Sequence, residues 1–404
     1  MPLNSKSRFL TTRYAETGTR FLVSPQPEEV NGFEPETVHV RAAPGTIRAG
    51  PQDEGIYVVD AEAKVPYEDS GDWPPYTGPR RPAAQPDAEG HFDHIMPEDD
   101  TFSSATVFAT IRLVLTIWEQ YLGRKVRWYF RDAYPRLEVI PRVLVDGNAI
   151  SKFGYIECGF ASLKRRSGPF CQHFDVVAHE VGHMILKDVI GNPPYRTLEF
   201  RSHEEAAADL VAMVALLHFE SVVKYLFEET QGNLYSSNVL SRTVELSRTK
   251  QLRKLFNDKA MPNLRWDPDP DYYKYELAAP FSGGAYDIFV EIYEQDLVRR
   301  GAIPPKLAED SFHVPGEENE DLQPRFRKHL QKREEDFEGA LLHARDAFAR
   351  LLARTWANTS MQDLTYPRVV ENMIDADLEL HRGRHIPIIQ DSFVWREIVP
   401  RTAE

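Results

Sequence analysis

The chain has 404 residues, of which 42% are hydrophobic, so it is long enough for more than one domain of typical size with a buried core. It carries 48 lysines and arginines against 62 aspartates and glutamates, which gives a formal net charge of −14. Such a surface repels phosphate backbones and anionic lipids, and no strong basic cluster offsets it, so we expect neither a nucleic acid nor a membrane as a partner.

Cysteine content and the first residues bear on the compartment. Cys158 and Cys171 could form one bridge, but two cysteines are too few for a secreted scaffold built on disulfides. The segment 1–20 is polar and charged and lacks the apolar core of a Sec signal peptide. No stretch approaches the roughly 18 uninterrupted apolar residues of a membrane span. We therefore expect a cytoplasmic protein, or one exported without a Sec signal.

The first hundred residues show no helical pattern. Short apolar runs, such as 21–23 and 56–59, are separated by proline, glycine and acidic residues and favour short strands or irregular structure. The segment 66–100 contains seven prolines. Because proline fixes φ and removes a hydrogen-bond donor, this segment is expected to be a long irregular linker. We place the first region at 1–100, with the proline-rich linker at its end.

Regular patterns follow this region. Apolar residues recur at three- and four-residue steps from Phe108 to Leu122, and Gly123 stands where a helix would end, which predicts an amphipathic helix. Residues 125–160 alternate in the manner of β-strands, through 126–130 and 143–145 up to 155–156, and predict a small sheet. Helices are predicted for most of the remaining chain, apart from a hydrophilic insertion near 303–321. The predicted fold class is α+β.

The most informative motif is His179-Glu180-Val181-Gly182-His183, inside an apolar helical pattern. Residues four apart share one face of a helix, so both imidazoles can meet one metal ion. Glu180 lies beside that face and can accept a proton from water held by the metal. Asp175 is suited to capping the start of the helix, and Gly191 with the prolines after it is suited to ending it. The alternative is two surface histidines on an ordinary helix.

A pair of carboxylates follows on a second helix, predicted to begin near Ser202. Glu205 comes 22 residues after His183, and Asp209 is one turn further on the same face. Glu205 would complete a set of two imidazoles and one carboxylate, which binds one Zn²⁺ and leaves the fourth position to water. Asp209 can accept the second N–H of His179. The alternative is a capping box, in which Glu205 folds back on Ser202.

With these motifs the chain resembles the thermolysin-like gluzincin metallopeptidases, the M4 peptidase group. The residues that carry the likeness are 175–183 and 204–209, which match the family's zinc helix and its ExxxD helix in order and spacing. The resemblance covers about residues 100–300 and, more weakly, the helical region after them. It implies a zincin metallopeptidase core: an α/β subdomain at 101–200 with a small sheet before the HExxH helix, then a mostly helical C-terminal subdomain at 201–404.

The resemblance also assigns roles to less distinctive positions. Asn148-Ala149 is similar to the family's Asn-Ala pair on an edge strand, which binds substrate backbone, although an ordinary turn fits 146–148 nearly as well. Tyr195 lies near the place of a tyrosine that hydrogen-bonds the reacting oxygen, or it is a packing residue. Ala279, in the run 279–283, stands where the family has its transition-state histidine. The family's signal peptide, propeptide and calcium-binding acidic clusters are not recognisable.

The resemblance therefore implies a zinc-dependent endopeptidase that hydrolyses peptides or proteins through a zinc-bound water activated by Glu180, which then delivers the proton to the leaving amine. Two alternatives stay open. In the first, the chain binds zinc but has lost turnover, as Ala279 would favour. In the second, the peptidase fold is a scaffold, and acidic segments in the N-terminal region and at 315–321 bind a partner. Intact HExxH and ExxxD motifs argue against both.

Overall fold

The computed structural model describes residues 17–26, 33–160, 162, 168–247, 250–312, 320–362 and 364–399. They form two compact units. Unit 1 comprises the described residues within Met1–Gln120, Arg124–Asp188 and Val244–Lys250, and unit 2 those within Tyr121–Gly123, Val189–Thr243 and Gln251–Glu404. The two units are defined by contacts in space and each contains several separate stretches of the chain. The boundaries predicted from the sequence, 1–100, 101–200 and 201–404, therefore stay predictions.

Unit 1 contains two of the sheets. An antiparallel pair joins β1 (Thr19–Val23) to β2 (Glu36–Val40). The larger sheet has four strands in the order β3-β4-β6-β5, namely β3 (Ile56–Val58), β4 (Leu137–Ile140), β5 (Ala149–Lys152) and β6 (Tyr155–Cys158). The pairs β3–β4 and β4–β6 are parallel, and β5–β6 is antiparallel. Every residue of β4 and β6 is buried, as expected of central strands covered on both faces.

The small sheet predicted within 125–160 is confirmed by β4, β5 and β6, but the predicted strands at 126–130 and 143–145 are wrong. Residues 125–128 have no regular structure and a turn begins at residue 129, and in this stretch Trp128 and Phe130 stack with ring centroids 5.7 Å apart. The indole N–H of Trp128 donates to the carbonyl of Gly55 at 2.9 Å. The apolar residues therefore serve aromatic packing rather than strand pairing.

The proline-rich segment 66–100 is irregular, as predicted, apart from the short helix α1 (Tyr67–Ser70). It is nevertheless packed within unit 1. Phe92 is fully buried and stacks on Phe21 of β1 with centroids 4.7 Å apart. The Tyr67 hydroxyl donates to Glu138 of β4 at 2.5 Å. The segment thus contributes side chains to the core of unit 1.

The predicted helix after residue 102 is α2 (Phe102–Leu122), and Gly123 ends it with φ of +67°. It is not amphipathic, because residues from Phe102 to Trp118 are buried apart from Arg112. Within the described part of the chain, α2 is the single helix long and apolar enough to cross a membrane, and 83% of its most apolar window is buried. The helices Leu198–Leu216 and Glu220–Thr230 are long and apolar enough only when taken together, and they are bent by 100° where they meet. A buried core helix of a folded protein can have the same length and composition.

Helices make up most of the remaining described chain, so the predicted α+β class, with a small sheet followed by a mostly helical C-terminal half, is confirmed. One further two-stranded sheet pairs β7 (Arg242–Ser247) with β8 (Lys250–Lys254). The predicted insertion near 303–321 contains a helix, and its residues 313–319 lie outside the described part. The elements are α3 (Phe174–Val189), α4 (Leu198–Leu216), α5 (Glu220–Thr230), β7 (Arg242–Ser247), β8 (Lys250–Lys254), α6 (Pro270–Arg299), α7 (Pro305–Phe312), α8 (Gln323–Ala357), α9 (Tyr366–His381) and α10 (Ile386–Trp395).

In unit 2, α6 packs against α4, α8 and α10. Two glycines allow α6 to approach the segment around α10 closely. A Cβ atom at Gly283 would lie 2.5 Å from the Arg396 guanidinium, and one at Gly284 would lie 2.7 Å from the Phe393 ring. Arg396 is 1% exposed, and it donates to the Asp287 carboxylate of α6 at 2.7 Å. The glycines at 283 and 284 are therefore required for packing.

Candidate metal centre

The HExxH motif lies in the middle of α3. Val177, Val181 and Ile185 are fully buried, so one side of the helix is fixed in the core of unit 1. The helix begins at Phe174, so Asp175 lies inside its first turn. The prediction that Asp175 is the N-cap residue is therefore wrong. Gly191 follows the end of α3 with φ of +108°, which confirms the predicted stop. The motif is thus held on a rigid, well-anchored helix.

The two motif histidines face each other. The Nε2 atoms of His179 and His183 are 3.0 Å apart, and the rings are 4.6 Å apart at an angle of 89°. Two nitrogens bound tetrahedrally to one zinc ion at about 2.0–2.1 Å would be about 3.3 Å apart. The observed pair is within a few tenths of an ångström of that value. Both imidazoles therefore fit one ion, which would take the place of the proton between them.

Glu180 completes a compact group with the histidine pair. It is 7% exposed, His179 is 4% exposed, and ligand atoms of the three side chains all lie within 4.8 Å of one another. A carboxylate buried beside two imidazoles is placed to take a proton from a molecule bound by them. The alternative of two ordinary surface histidines is excluded, since His179 and Glu180 are buried.

The two cysteines of unit 1 are free, so the bridge considered from the sequence is not formed. Cys158, on β6, is fully buried, and burial raises the pKa of its thiol, with a smaller contribution from the Glu180 carboxylate. Burial also raises the pKa of Cys171 to about 12. Both side chains are therefore neutral thiols at physiological pH, unlike the thiolates that bind metals.

The predicted carboxylates Glu205 and Asp209 lie on α4 in unit 2, and both are buried. The helix begins at Leu198, four residues before the predicted start, and Thr197 is its N-cap, accepting from the backbone N–H of Phe200. Ser202 lies inside the helix, where its hydroxyl donates to the Leu198 carbonyl at 2.8 Å. The capping-box alternative is therefore wrong, and Glu205 lies within the helix rather than in its first turn.

Glu205 is held by a cation within unit 2. The Lys274 ammonium of α6 donates to Glu205 Oε1 at 2.6 Å, and the two side chains are 19% and 7% exposed. Burial lowers the pKa of Lys274, but the Glu205 carboxylate outweighs it, and the pKa is raised overall. The sequence analysis missed Lys274, because a single lysine 69 positions away carries no spacing signal.

His203, beside Glu205 on α4, is another residue that the sequence analysis did not assign. It is 1% exposed and packs edge-on against Phe281, with ring centroids 4.8 Å apart. Both ring nitrogens are buried without a hydrogen-bond partner in the part of the chain that the structure describes. Burial lowers the pKa of His203 to about 4, so the ring is neutral at physiological pH.

The structure also gives the positions of the remaining predicted site residues. Tyr195 is 91% exposed, so the packing alternative for it is not supported. Asn148 is exposed, and Ala149 begins β5, the last strand in the sheet order, opposite Cys158 of β6. Ala279 lies on α6, where its carbonyl accepts from the Asn257 side-chain amide at 3.1 Å. Ala149 thus lies on an edge strand, Asn148 precedes that strand, and Ala279 lies on a helix. The roles that the resemblance implies for these residues stay predictions.

Comparison with known proteins finds similarity among solved structures. The sequence matches no protein-family model. No curated protein matches it at a significant level. A solved structure similar to this one is the precursor of protealysin, a metalloproteinase from Serratia proteamaculans, with a TM-score of 0.45 and 9% sequence identity. The similarity covers 89% of this chain and 91% of that chain.

Proposed function

We propose that this protein is a zinc-dependent peptidase in which His179, His183 and Glu205 hold one zinc ion and Glu180 acts as the general base. The observation that carries the proposal is the buried group on α3, with two Nε2 atoms 3.0 Å apart and a carboxylate beside them. Two imidazoles with one carboxylate form a common donor set of catalytic zinc sites. Glu205 is proposed as the third ligand because it is a buried carboxylate on the helix that carries the ExxxD pattern.

The chain's own residues would then divide the chemistry. When bound, zinc supplies a Lewis acid that polarises a peptide carbonyl and lowers the pKa of water. Glu180 accepts the proton of the attacking water at a carboxylate oxygen and donates it to the nitrogen of the leaving amine. Asp209 is proposed as the acceptor of the second N–H of His179, which would orient the ring.

The proposed substrate is a peptide or protein segment in extended form. β5 ends the strand order of the sheet, so an extended chain can be added along its outer side. Asn148 and Ala149 at the start of β5 would contact the substrate backbone.

Three variants test the function. Glu180→Gln should keep the zinc ion of this site while hydrolysis of a peptide library falls by about 100-fold or more, as for loss of a general base. His183→Ala should lose the ion of this site. Glu220→Gln, which changes an exposed glutamate at the start of α5, is the matched control and should behave like the parent. Unchanged turnover in Glu180→Gln would rule out its role as the base.

The second candidate is a protein that binds zinc without turnover. Ala279 favours it, because the resembling family has a transition-state histidine at that position. The distinguishing result is a parent protein that holds zinc through His183 but cleaves no member of the library, with or without a chelator.

A further inference from the structure

A second group of metal-ligating side chains lies in unit 2 and shares no residue with the proposed peptidase site. Asp377 and His381 are one turn apart on α9, and His385 is the N-cap residue of α10. Ligand atoms of the three side chains lie within 4.8 Å of one another. His381 Nδ1 is 2.9 Å from Asp377 Oδ1, and the two imidazole rings have centroids 5.0 Å apart.

The turn between α9 and α10 brings these residues together. Arg382 ends α9 in the left-handed conformation with φ of 58°, and Gly383 follows with φ of 76°. The chain reverses at these two residues, and the backbone N–H of His385 then donates to Asp377 Oδ2 at 2.8 Å. The fully buried Asp377 carboxylate is therefore shared between the His381 ring and the start of α10.

Hydrogen bonding at the helix end accounts for Asp377 and His381 but not for the His385 ring. His385 is 3% exposed, and its Nδ1 atom is buried with no hydrogen-bond partner among the described residues. Buried polar atoms in native proteins are usually paired, and an absent ion is one of the few explanations for an exception. A neutral imidazole nitrogen of this kind can donate its lone pair to a metal ion.

We propose that Asp377, His381 and His385 bind one divalent transition-metal ion of the zinc type at the junction of α9 and α10. Two imidazole nitrogens and one carboxylate oxygen are the donors that such ions prefer, and hard cations such as magnesium and calcium favour oxygen donors. The 2.9 Å between the His381 and Asp377 atoms fits two ligands at about 2.0–2.1 Å from one ion.

The electrostatic balance around the group favours a cation. Asp377 contributes a full negative charge, and the last carbonyls of α9 add partial negative charge at the helix C-terminus. Arg384, His343 when it is protonated, and the positive N-terminal end of α10 after His385 oppose this. They are outweighed because Asp377 is the direct neighbour of both imidazoles. The 18% exposure of the His381 side chain gives an ion a path from solvent.

The test is zinc stoichiometry by dialysis and elemental analysis on the untagged full chain. The protein with both His179→Ala and His183→Ala, which lacks the proposed peptidase ligands, should retain one zinc ion. Adding His385→Ala to that background should remove it. His329→Ala changes a partly buried histidine of α8 and is the matched control, which should retain the ion.

Thermal denaturation gives a second readout, because a ligand that binds only the folded state raises the melting temperature. Zinc should raise that of the His179→Ala/His183→Ala protein and leave that of the His385→Ala triple variant unchanged. If His385→Ala fails to fold, His381→Gln in the same background replaces it, with the same expected loss.

The outcomes separate this site from the peptidase centre. If the His179→Ala/His183→Ala protein holds no zinc, the site at Asp377 does not exist. The proposal is equally wrong if that protein keeps its ion after both His385→Ala and His381→Gln. A parent chain with a single ion, lost with His385 but not with His183, would support this site and overturn the proposed peptidase centre.

Discussion

Lys274 offers a sharp test of whether Glu205 is a metal ligand. Its ammonium lies 2.6 Å from Glu205 Oε1, in a pair that is largely buried. A zinc ion that uses the same carboxylate has to compete with this lysine. Lys274→Met removes the charge and keeps a side chain of similar length, so we expect it to raise zinc affinity.

The magnitude follows from the contact. A hydrogen bond that involves a charged group contributes about 1.5–3 kcal/mol net. Lys274 is 19% exposed, which places the value near the lower limit, since solvent screens part of the interaction. An increment of about 1.4 kcal/mol corresponds to a tenfold change in affinity, so the expected gain is about tenfold.

The assay is competition for zinc with a chromophoric chelator, applied to Lys274→Met, Glu205→Ala and the double variant. Lys274→Met should have no effect in the Glu205→Ala background, because the lysine acts through that carboxylate. Lys259→Met is the matched control, since Lys259 pairs with Glu276 of the same helix at 2.7 Å. A loss of affinity in Lys274→Met, or an equal gain with and without Glu205, would refute the reasoning.

Three further expectations concern single residues. Asp209→Ala should weaken zinc binding by about 10- to 100-fold without abolishing it, and Glu205→Ala should cost more; the reverse order would exchange their roles. Tyr195→Phe should lower kcat with little change in KM, and an unchanged kcat would remove Tyr195 from the site. Burial raises the pKa of Glu291 to about 7, so the stability linked to its protonation is present below pH 4.5, the ordinary value, and is lost as the pH rises through 7. Glu291→Gln should therefore raise the free energy of unfolding in urea by about 2–3 kcal/mol at pH 8 and by almost nothing at pH 4, with the exposed Glu371→Gln as an unaffected control.

Local signals explain which parts of the fold could be predicted. The ends of α2 and α3 could be predicted because glycine often ends a helix, and Gly123 and Gly191 stand at those positions. Both adopt the positive φ that glycine permits. The face shared by His179 and His183 follows from helix geometry alone. Each of these features depends on residues that are close together in the sequence.

The features that escaped prediction depend on distant contacts. The aromatic residues at 126–130 have the alternation of a strand, but the partner that fixes Trp128 is the Gly55 carbonyl, 73 positions away. The Lys274–Glu205 pair spans 69 positions. The spacing from Asp377 through His381 to His385 was visible in the sequence, but a continuous helix would have spread the three residues along two turns. Only the reversal after residue 381 gathers them.

The buried guanidinium of Arg396 has a consequence for the order in which unit 2 folds. Its contact with Asn257 closes a loop of 139 positions, and its contact with Asp287 one of 109. Closing such loops costs chain entropy before any contact compensates for it. Until Arg396 is in place, Asp287 lacks its cationic partner, and the space beside Gly283 is unfilled. Since synthesis proceeds from the N-terminus, α4 and α6 are made well before Arg396, and we expect unit 2 to gain its full cooperativity only when α10 and Arg396 dock.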